Sequence, residues 1–225
     1  MIQGVRQRGT VAIRKHLHAL HVSSELTCMF RQMKQRNEAM ITPQGVIDVL
    51  CKAGIQCVLM GTYGITGYRS EPRATQDVDV LVKKRDMRKA IRALRKAYPA
   101  LTVSDTPVVT RFVDPAAGLP VIDVMKPTQP IFQVALRYTV RIGDTHRIPD
   151  LEMAIISKFA AMVSPYRGEA KKLIDGGDFV DIVLHNRKNI DLDKLLRLAD
   201  KVYPNGSAEM KQLLADVDAG RTIRF

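Results

Sequence analysis

Two aspartates in the segment "EPRATQDVDVLVKK", residues 71–84, are spaced so that they can do chemistry together. Asp77 and Asp79 lie in an otherwise apolar run, and the side chains of a strand alternate between its two faces. Both carboxylates therefore project from one face, with Cα atoms roughly 6.5 to 7 Å apart, while Val78 and Val80 face the core. Like charges this close repel unless a cation lies between them, and oxygen ligands on a rigid strand suit magnesium.

A third carboxylate occurs in the same kind of context. Asp123 lies within "VIDV", on another predicted strand. If that strand neighbours the first, the three acids converge on one site, an arrangement that can hold two metal ions about 3.5 to 4 Å apart. The alternative is that all three are ordinary solvent-facing residues of a half-exposed sheet, or partners of nearby arginines.

A glycine turn precedes the acids. Gly61 and Thr62, in "MGTYGITGYR", directly follow the short buried strand predicted for "IQCVLM". Backbone N–H groups and a hydroxyl at the start of a helix can hold a phosphate, although a plain tight turn would have the same composition. The spacing from Gly61 to Asp77 leaves room for a short helix and a return to the sheet, which would bring phosphate holder and metal ligands side by side.

Alternating helix and strand patterns surround these residues. Thr42 and Pro43 cap a helix that ends at Gly54, and Asp86 caps a strongly basic helix whose basic face is expected to be solvated. The segments "VVTRFVDP" and "LPVIDVMKP" predict a hairpin-like pair of strands, and the chain beyond residue 150 reads as helix throughout. The predicted fold is α+β, a small mixed sheet with flanking helices, followed by a C-terminal helical subdomain.

Three segments are expected from this pattern. Residues 1–39 form a basic arm, disordered or helical, residues 40–149 the core, and residues 150–225 the helical subdomain. The histidines of the arm are predicted to lie on its surface, and the three cysteines to be reduced, structural thiols: His16, His18, His21, Cys28, Cys51 and Cys57.

The chain is strongly basic, with 35 Lys and Arg against 23 Asp and Glu and a formal net charge of +12. This balance favours polyanionic partners such as nucleic acid or nucleotide phosphates, with a merely solvated basic surface as the alternative. The sequence contains neither a long apolar stretch nor a secretory signal pattern, so a cytoplasmic protein without a membrane partner is expected.

The segment "VLMGTYGITGYRSEPRATQDVDVLV" resembles the signature of the nucleotidyltransferase superfamily, in which a strand ends in Gly-Ser or Gly-Gly and a later strand carries Asp-x-Asp. Its "PRATQDVDV" portion resembles the AbiEii-type toxin branch and its minimal nucleotidyltransferase relatives. The resemblance implies a nucleotidyltransferase-like fold in which Asp77 and Asp79 bind magnesium and Asp123 completes the site. Gly61 and Thr62 match the glycine turn, with threonine in place of serine.

The resemblance extends into the helical part. "IPDLEMAIISKFAAM" is similar to the helix that bears the family's lysine, here Lys158, and "DGGDFVDIVLH" to the helix with Asp178 and Asp181. Independently of the resemblance, Lys158 falls on the apolar stripe of this helix, so its side chain is predicted to point inward, where a nucleotide phosphate would neutralise it. The alternative is that the side chain extends along the apolar surface and places its charge in solvent. Asp178, which follows two glycines, equally suits a helix N-cap.

Arg73 and Thr75 belong to the matching segment as well. The resemblance implies that both bind the nucleotide. For Arg73, the alternatives are a contact that steadies the carboxylates and a purely surface position.

Taken together, these features predict a nucleotidyltransferase that uses two Mg²⁺ ions. The enzyme would transfer a nucleoside monophosphate from an NTP to a hydroxyl of RNA, such as tRNA, or of a protein. The branch resemblance adds a toxin role with a cognate antitoxin as partner. Two alternatives remain at this point: a non-catalytic RNA- or protein-binding module on the same fold, and an aminoglycoside-type nucleotidyltransferase that acts on a small molecule.

Overall fold

The structure is a computed structural model that describes residues 2–33 and 41–224, with side chains described for residues 13–33 and 41–224. The chain divides into two compact units, Met1–Gly67 with Glu71–Ile148 and Tyr68–Ser70 with Pro149–Phe225. Within the described residues, every helix is too short or too polar to cross a membrane.

A seven-stranded mixed sheet forms the centre of the first unit. Its strands are β1 (Cys57–Leu59), β2 (Val78–Val82), β3 (Thr102–Asp105), β4 (Val109–Asp114), β5 (Leu119–Met125), β6 (Thr139–Ile142) and β7 (His146–Pro149). Their order in the sheet is β3-β4-β5-β2-β1-β7-β6. β2 pairs parallel with β5 and antiparallel with β1, whereas β4 and β5 form the predicted antiparallel pair. The α+β class is confirmed.

Five helices accompany the sheet in the described part of this unit: α1 (Ile2–Met33), α2 (Pro43–Lys52), α3 (Gly61–Ile65), α4 (Met87–Ala97) and α5 (Pro130–Ala135). The predicted cap of α2 is present, since the Gly45 N–H donates to Thr42 Oγ1 at 3.0 Å. Asp86, in contrast, makes no side-chain cap bond to α4, because residues 84–86 form a 3-10 turn that leads into the helix.

The part of the first helix whose side chains are described, residues 13–33, packs on the core. Its buried face comprises His16, Ala19, Leu20, Ser23, Thr27 and Arg31. The prediction of surface histidines is therefore wrong for His16, which is 1% exposed, while His18 and His21 do face solvent. Residues 34–39 of the predicted arm lie outside the described residues.

The second unit contains α6 (Leu151–Met162), α7 (Glu169–Asn186), α8 (Leu192–Ala199) and α9 (Gly206–Asp218). Asp150 caps α6, since its Oδ1 accepts from the Met153 N–H at 3.1 Å. α6 packs against α7 and α8 around a core that includes Ile155, Phe159 and Phe179. α7 runs without a break through residue 178, so the alternative of Asp178 as a helix N-cap is wrong.

Candidate metal centre

Three carboxylates meet on one face of the sheet in the first unit. Asp79 and Asp123 are direct partners in the parallel pairing of β2 with β5, and Asp77 immediately precedes β2. Ligand oxygens of Asp77, Asp79 and Asp123 all lie within 4.8 Å of one another. Paired residues of neighbouring strands point to the same side of the sheet, so the register places these side chains together.

The apolar residues of the two strands fix which face the acids take. Val78 and Val80 of β2 and Ile122 and Val124 of β5 have no exposed surface. A slip of either strand by one residue would move its two apolar side chains out of the core, so these residues fix the register. The carboxylates occupy the opposite face as a consequence of that packing.

The donor set fits a hard divalent cation. Three carboxylates supply only oxygen ligands, which Mg²⁺ prefers, and their mutual repulsion in the absence of positive charge favours a cation between them. Asp123 is the most enclosed of the three at 7% exposure, whereas Asp77 and Asp79 are half-buried. The cluster is therefore closed at one side and open to solvent at the other, as a site that admits a substrate must be.

One arginine is already paired with this cluster. Arg111 Nε lies 3.2 Å from Asp123 Oδ2, because Arg111 and Asp123 are register partners across β4 and β5. The Arg111 side chain is 45% exposed, so it can move away from Asp123 into solvent without the loss of buried contacts. Sequence reasoning missed this residue, although counting back through the predicted hairpin from Asp123 would have reached it.

Gly61 lies directly against Asp79. Its backbone has φ +55°, and an ideal Cβ at this position would come within 2.8 Å of Asp79 Cγ and would overlap the carboxylate. Glycine is therefore required both by the left-handed backbone and by the close approach of the acid. Thr62 follows at the first turn of α3, where its side chain is 6% exposed.

The loop before β2 contributes Arg73 and Thr75. The Thr75 hydroxyl donates to Asp77 Oδ1 at 3.4 Å, a long contact that connects the loop to the metal ligands. Arg73 Nη1 donates to the Ala74 carbonyl at 3.1 Å. Both residues are half-buried, and the role of Arg73 stays a prediction.

The remaining predicted site residues form a buried charge cluster in the second unit. Lys158 is 6% exposed, in agreement with the inward direction of its stripe, and its ammonium lies 2.9 Å from Asp175 and 2.7 Å from Asp178. Arg69 pairs with Asp178 and with Asp181, and Arg167 pairs with Asp175. Protein carboxylates thus neutralise the lysine, and its role toward a phosphate stays a prediction.

Asp175 and Arg69 were missed by sequence reasoning. Asp175, Asp178 and Asp181 recur every three residues along α7, a signal that was visible in "IDGGDFVDIV". Arg69 gave no such signal. Residues 68–70 belong to the second unit although in sequence they lie between two segments of the first, and the sequence does not show this.

No protein-family model matches the sequence, and the search of curated proteins produced no match. Solved structures do resemble it. An antigenic nucleotidyltransferase-like protein from Paracoccidioides brasiliensis is 17% identical, with 76% of this chain and 88% of that chain covered and a TM-score of 0.44. JHP933 from Helicobacter pylori is 17% identical, with coverages of 78% and 75% and a TM-score of 0.46.

A third similar structure is the antibiotic-resistance factor ANT(2'')-Ia, 13% identical, with 79% of this chain and 93% of that chain covered and a TM-score of 0.45. All three likenesses are distant, with identities of 13–17% and TM-scores of 0.44–0.46.

Proposed function

We propose that this protein is a metal-dependent nucleotidyltransferase, which transfers a nucleoside monophosphate from an NTP to a hydroxyl group. The observation that carries the proposal is the meeting of Asp77, Asp79 and Asp123 within 4.8 Å of one another. The contact of Gly61 with Asp79 supports it, because that contact puts the first turn of α3 beside the acids, and the leading N–H groups of a helix have no partner within the helix.

The three aspartates are the residues that would hold magnesium, which when bound neutralises phosphate charge and lowers the pKa of the acceptor hydroxyl. The acceptor oxygen bonds to the α-phosphorus while the bond from that phosphorus to the bridging oxygen breaks, so pyrophosphate leaves. Asp123, the most enclosed carboxylate, takes the hydroxyl proton after the Arg111 side chain has moved away from it. Backbone N–H groups of Gly61 and Thr62 bind the β- and γ-phosphates.

The roles of the other residues follow from their contacts. Thr75 orients Asp77 through its hydroxyl. Nucleotide contacts by Arg73, Lys158, Asp178 and Asp181 stay predictions of the family resemblance, as do the toxin role and the cognate antitoxin.

The basic face of α4 supports a polyanionic acceptor. This face comprises Arg88, Lys89, Arg92, Arg95 and Lys96, all of which are exposed. The opposite side of the helix is anchored in the core by Met87, Ala90 and Leu94, so the basic side chains are held outward. Such a row suits the phosphates of RNA, and we therefore favour an RNA hydroxyl over a small antibiotic as acceptor.

A non-catalytic binding module is the second candidate. The same basic face would serve it, so the surface charge does not separate the two functions. The acidic cluster does, because a scaffold gains nothing from three mutually repelling carboxylates and a glycine shaped to fit one of them.

Transfer of label tests the proposal. The protein is incubated with each of the four NTPs, labelled at the α-phosphate, together with Mg²⁺ and, in separate reactions, total tRNA, cell-extract protein or an aminoglycoside. We expect label on RNA, and none with Asp79→Asn or Asp123→Asn. Label on the aminoglycoside alone would establish the small-molecule alternative. An absence of label in all reactions, together with an absence of metal-dependent NTP binding, would favour the binding module.

A further inference from the structure

The buried face of α1 carries three polar side chains at successive turns. Ser23, Thr27 and Arg31 follow a spacing of four residues, which places them along one side of the helix. They are 0%, 2% and 7% exposed. Polar groups buried this deeply need hydrogen-bond partners, and here the partners are specific.

All three bond to the backbone of the loop that leads to Asp77. Ser23 Oγ donates to the carbonyl of residue 73 at 2.5 Å, and the N–H of residue 75 donates to Thr27 Oγ1 at 3.1 Å. Arg31 Nη2 donates to the carbonyl of residue 76 at 2.6 Å. The helix therefore fixes three of the four residues immediately before the first acid.

Thr27 also joins this loop to the glycine turn. Its Oγ1 accepts from the Tyr63 hydroxyl at 3.0 Å, and it donates to the Ser23 carbonyl at 2.8 Å. A hydroxyl has one donor and two acceptor positions, and all three are used here. Tyr63 is 1% exposed and lies two residues after Gly61 in α3. One oxygen atom thus connects the element that begins at Gly61 with the loop that ends at Asp77.

The loop needs such support because it lacks the hydrogen-bond ladder of a strand. Residues 69–77 have no helix or strand assignment, so their position depends on side-chain and tertiary contacts. A purely apolar helix face would cover this loop but would leave its carbonyl and N–H groups unsatisfied.

We propose that Ser23, Thr27 and Arg31 are positioning residues of the metal centre, with Thr27 setting the location of Asp77 relative to Gly61. The inference rests on the proposed function, since it assigns these residues to a site that binds a divalent cation. None of the three belongs to the carboxylates that would hold the cation, and each bonds to the backbone of the loop.

The test compares full-length Thr27→Val, Thr27→Ser and Leu20→Ala proteins with the wild type. Valine keeps the shape of threonine and removes the hydroxyl, whereas serine retains the hydroxyl. Leu20 is 5% exposed on the same face of α1, so its truncation weakens the helix packing without touching the polar contacts. Two quantities are measured: amide hydrogen exchange of residues 73–77, and the affinity for Mn²⁺ by calorimetry in the absence of nucleotide.

We expect Thr27→Val to speed exchange in this loop and to weaken Mn²⁺ binding by about tenfold or more. Thr27→Ser should stay close to wild type, and Leu20→Ala should lower the melting temperature while leaving the Mn²⁺ affinity unchanged. Wild-type exchange and Mn²⁺ affinity in Thr27→Val would overturn the inference, as would an equal loss of affinity in Leu20→Ala. If the wild type binds no Mn²⁺, the proposed function fails, and the assignment of positioning residues fails with it.

Discussion

Gly61 and Asp79 are in contact so close that the position has room for no side chain. An ideal Cβ at position 61 would overlap the carboxylate, and the backbone there has φ +55°. Two separate requirements for glycine, the left-handed backbone and the lack of space, therefore coincide at Gly61. They can be separated by experiment because another glycine of the chain has the left-handed backbone alone. Gly143 has φ +53°, and a Cβ there would meet nothing within 4 Å.

Gly61→Ala and Gly143→Ala are thus a matched pair. Both should lower the free energy of unfolding by about 1–2 kcal/mol, the cost of a left-handed alanine. Only Gly61→Ala should also weaken Mn²⁺ binding, by about tenfold or more, because its methyl group displaces Asp79. Calorimetric titration and thermal unfolding measure the two effects. Equal metal affinity in both variants would contradict this assignment.

Removal of one acid should have opposite effects with and without metal. In metal-free buffer, Asp77→Asn relieves repulsion within the cluster and should leave the protein as stable as wild type or up to about 1 kcal/mol more stable. Divalent metal should raise the melting temperature of the wild type and should have little effect on the variant. Asp48→Asn, at an exposed position on α2, is the control that changes the net charge alone. A variant that still responds to Mg²⁺ like the wild type would exclude Asp77 as a ligand.

Lys158→Met tests whether the lysine is structural. Loss of the ammonium leaves Asp175 and Asp178 with fewer partners in a buried position, and we expect the free energy of unfolding to fall by about 3 kcal/mol. Lys172→Met is the control, since Lys172 pairs with Glu169, which is 84% exposed, and should cost less than about 1 kcal/mol. Urea unfolding measures both. Wild-type stability of Lys158→Met combined with loss of NTP binding would instead favour the phosphate role.

Acid should destabilise the first unit through two buried histidines. Burial lowers the pKa of His16 and of His146 to about 4. In the unfolded chain a histidine titrates near pH 6.5, so the unfolded state binds more protons below that pH. The stability contribution is therefore complete above about pH 6.5 and is lost as the pH falls toward 4. The rings lie 6.3 Å apart, so protonation of one also disfavours protonation of the other.

Chemical unfolding between pH 7 and pH 4 measures this dependence. His16→Leu should flatten the slope of unfolding free energy against pH. An identical slope in wild type and His16→Leu would show that other groups cause the acid sensitivity.

Charge reversal on α4 tests the acceptor. Arg88→Glu combined with Arg92→Glu should reduce RNA labelling about tenfold or more and make it less salt-dependent, because two phosphate contacts are lost. Metal-dependent NTP binding should be unchanged. A matched reversal at Lys188 and Lys201, two exposed positions of the second unit, controls for net charge. Equal loss in both double variants would assign the effect to overall charge.

Apolar runs and turn residues were enough to predict the centre of the sheet. β1, β2 and the β4–β5 pair are rich in buried Val, Leu, Ile and Phe side chains, so their apolar pattern is plain. β3, β6 and β7 were missed because they are short and because β3 and much of β6 are half-buried or exposed. The sheet is consequently wider than the small one expected.

The contribution of α1 to the site could not be predicted by the same means. Its buried face mixes Ala19 and Leu20 with His16, Ser23 and Thr27, so an apolar repeat does not mark it. Its polar members are buried because the loop backbone offers them partners, which is a property of tertiary packing. The acids were found from sequence because strand alternation alone puts two of them on one face.

The pairing of β2 with β5 joins segments that are far apart in the chain, with α4, β3 and β4 between them. A pairing of this kind is entropically costly to form, because a long loop must close first. We therefore expect the three acids to become neighbours late in the folding reaction. A divalent cation recognises that final arrangement, so we expect Mg²⁺ to lengthen the lifetime of the native state while leaving the rate of its formation nearly unchanged.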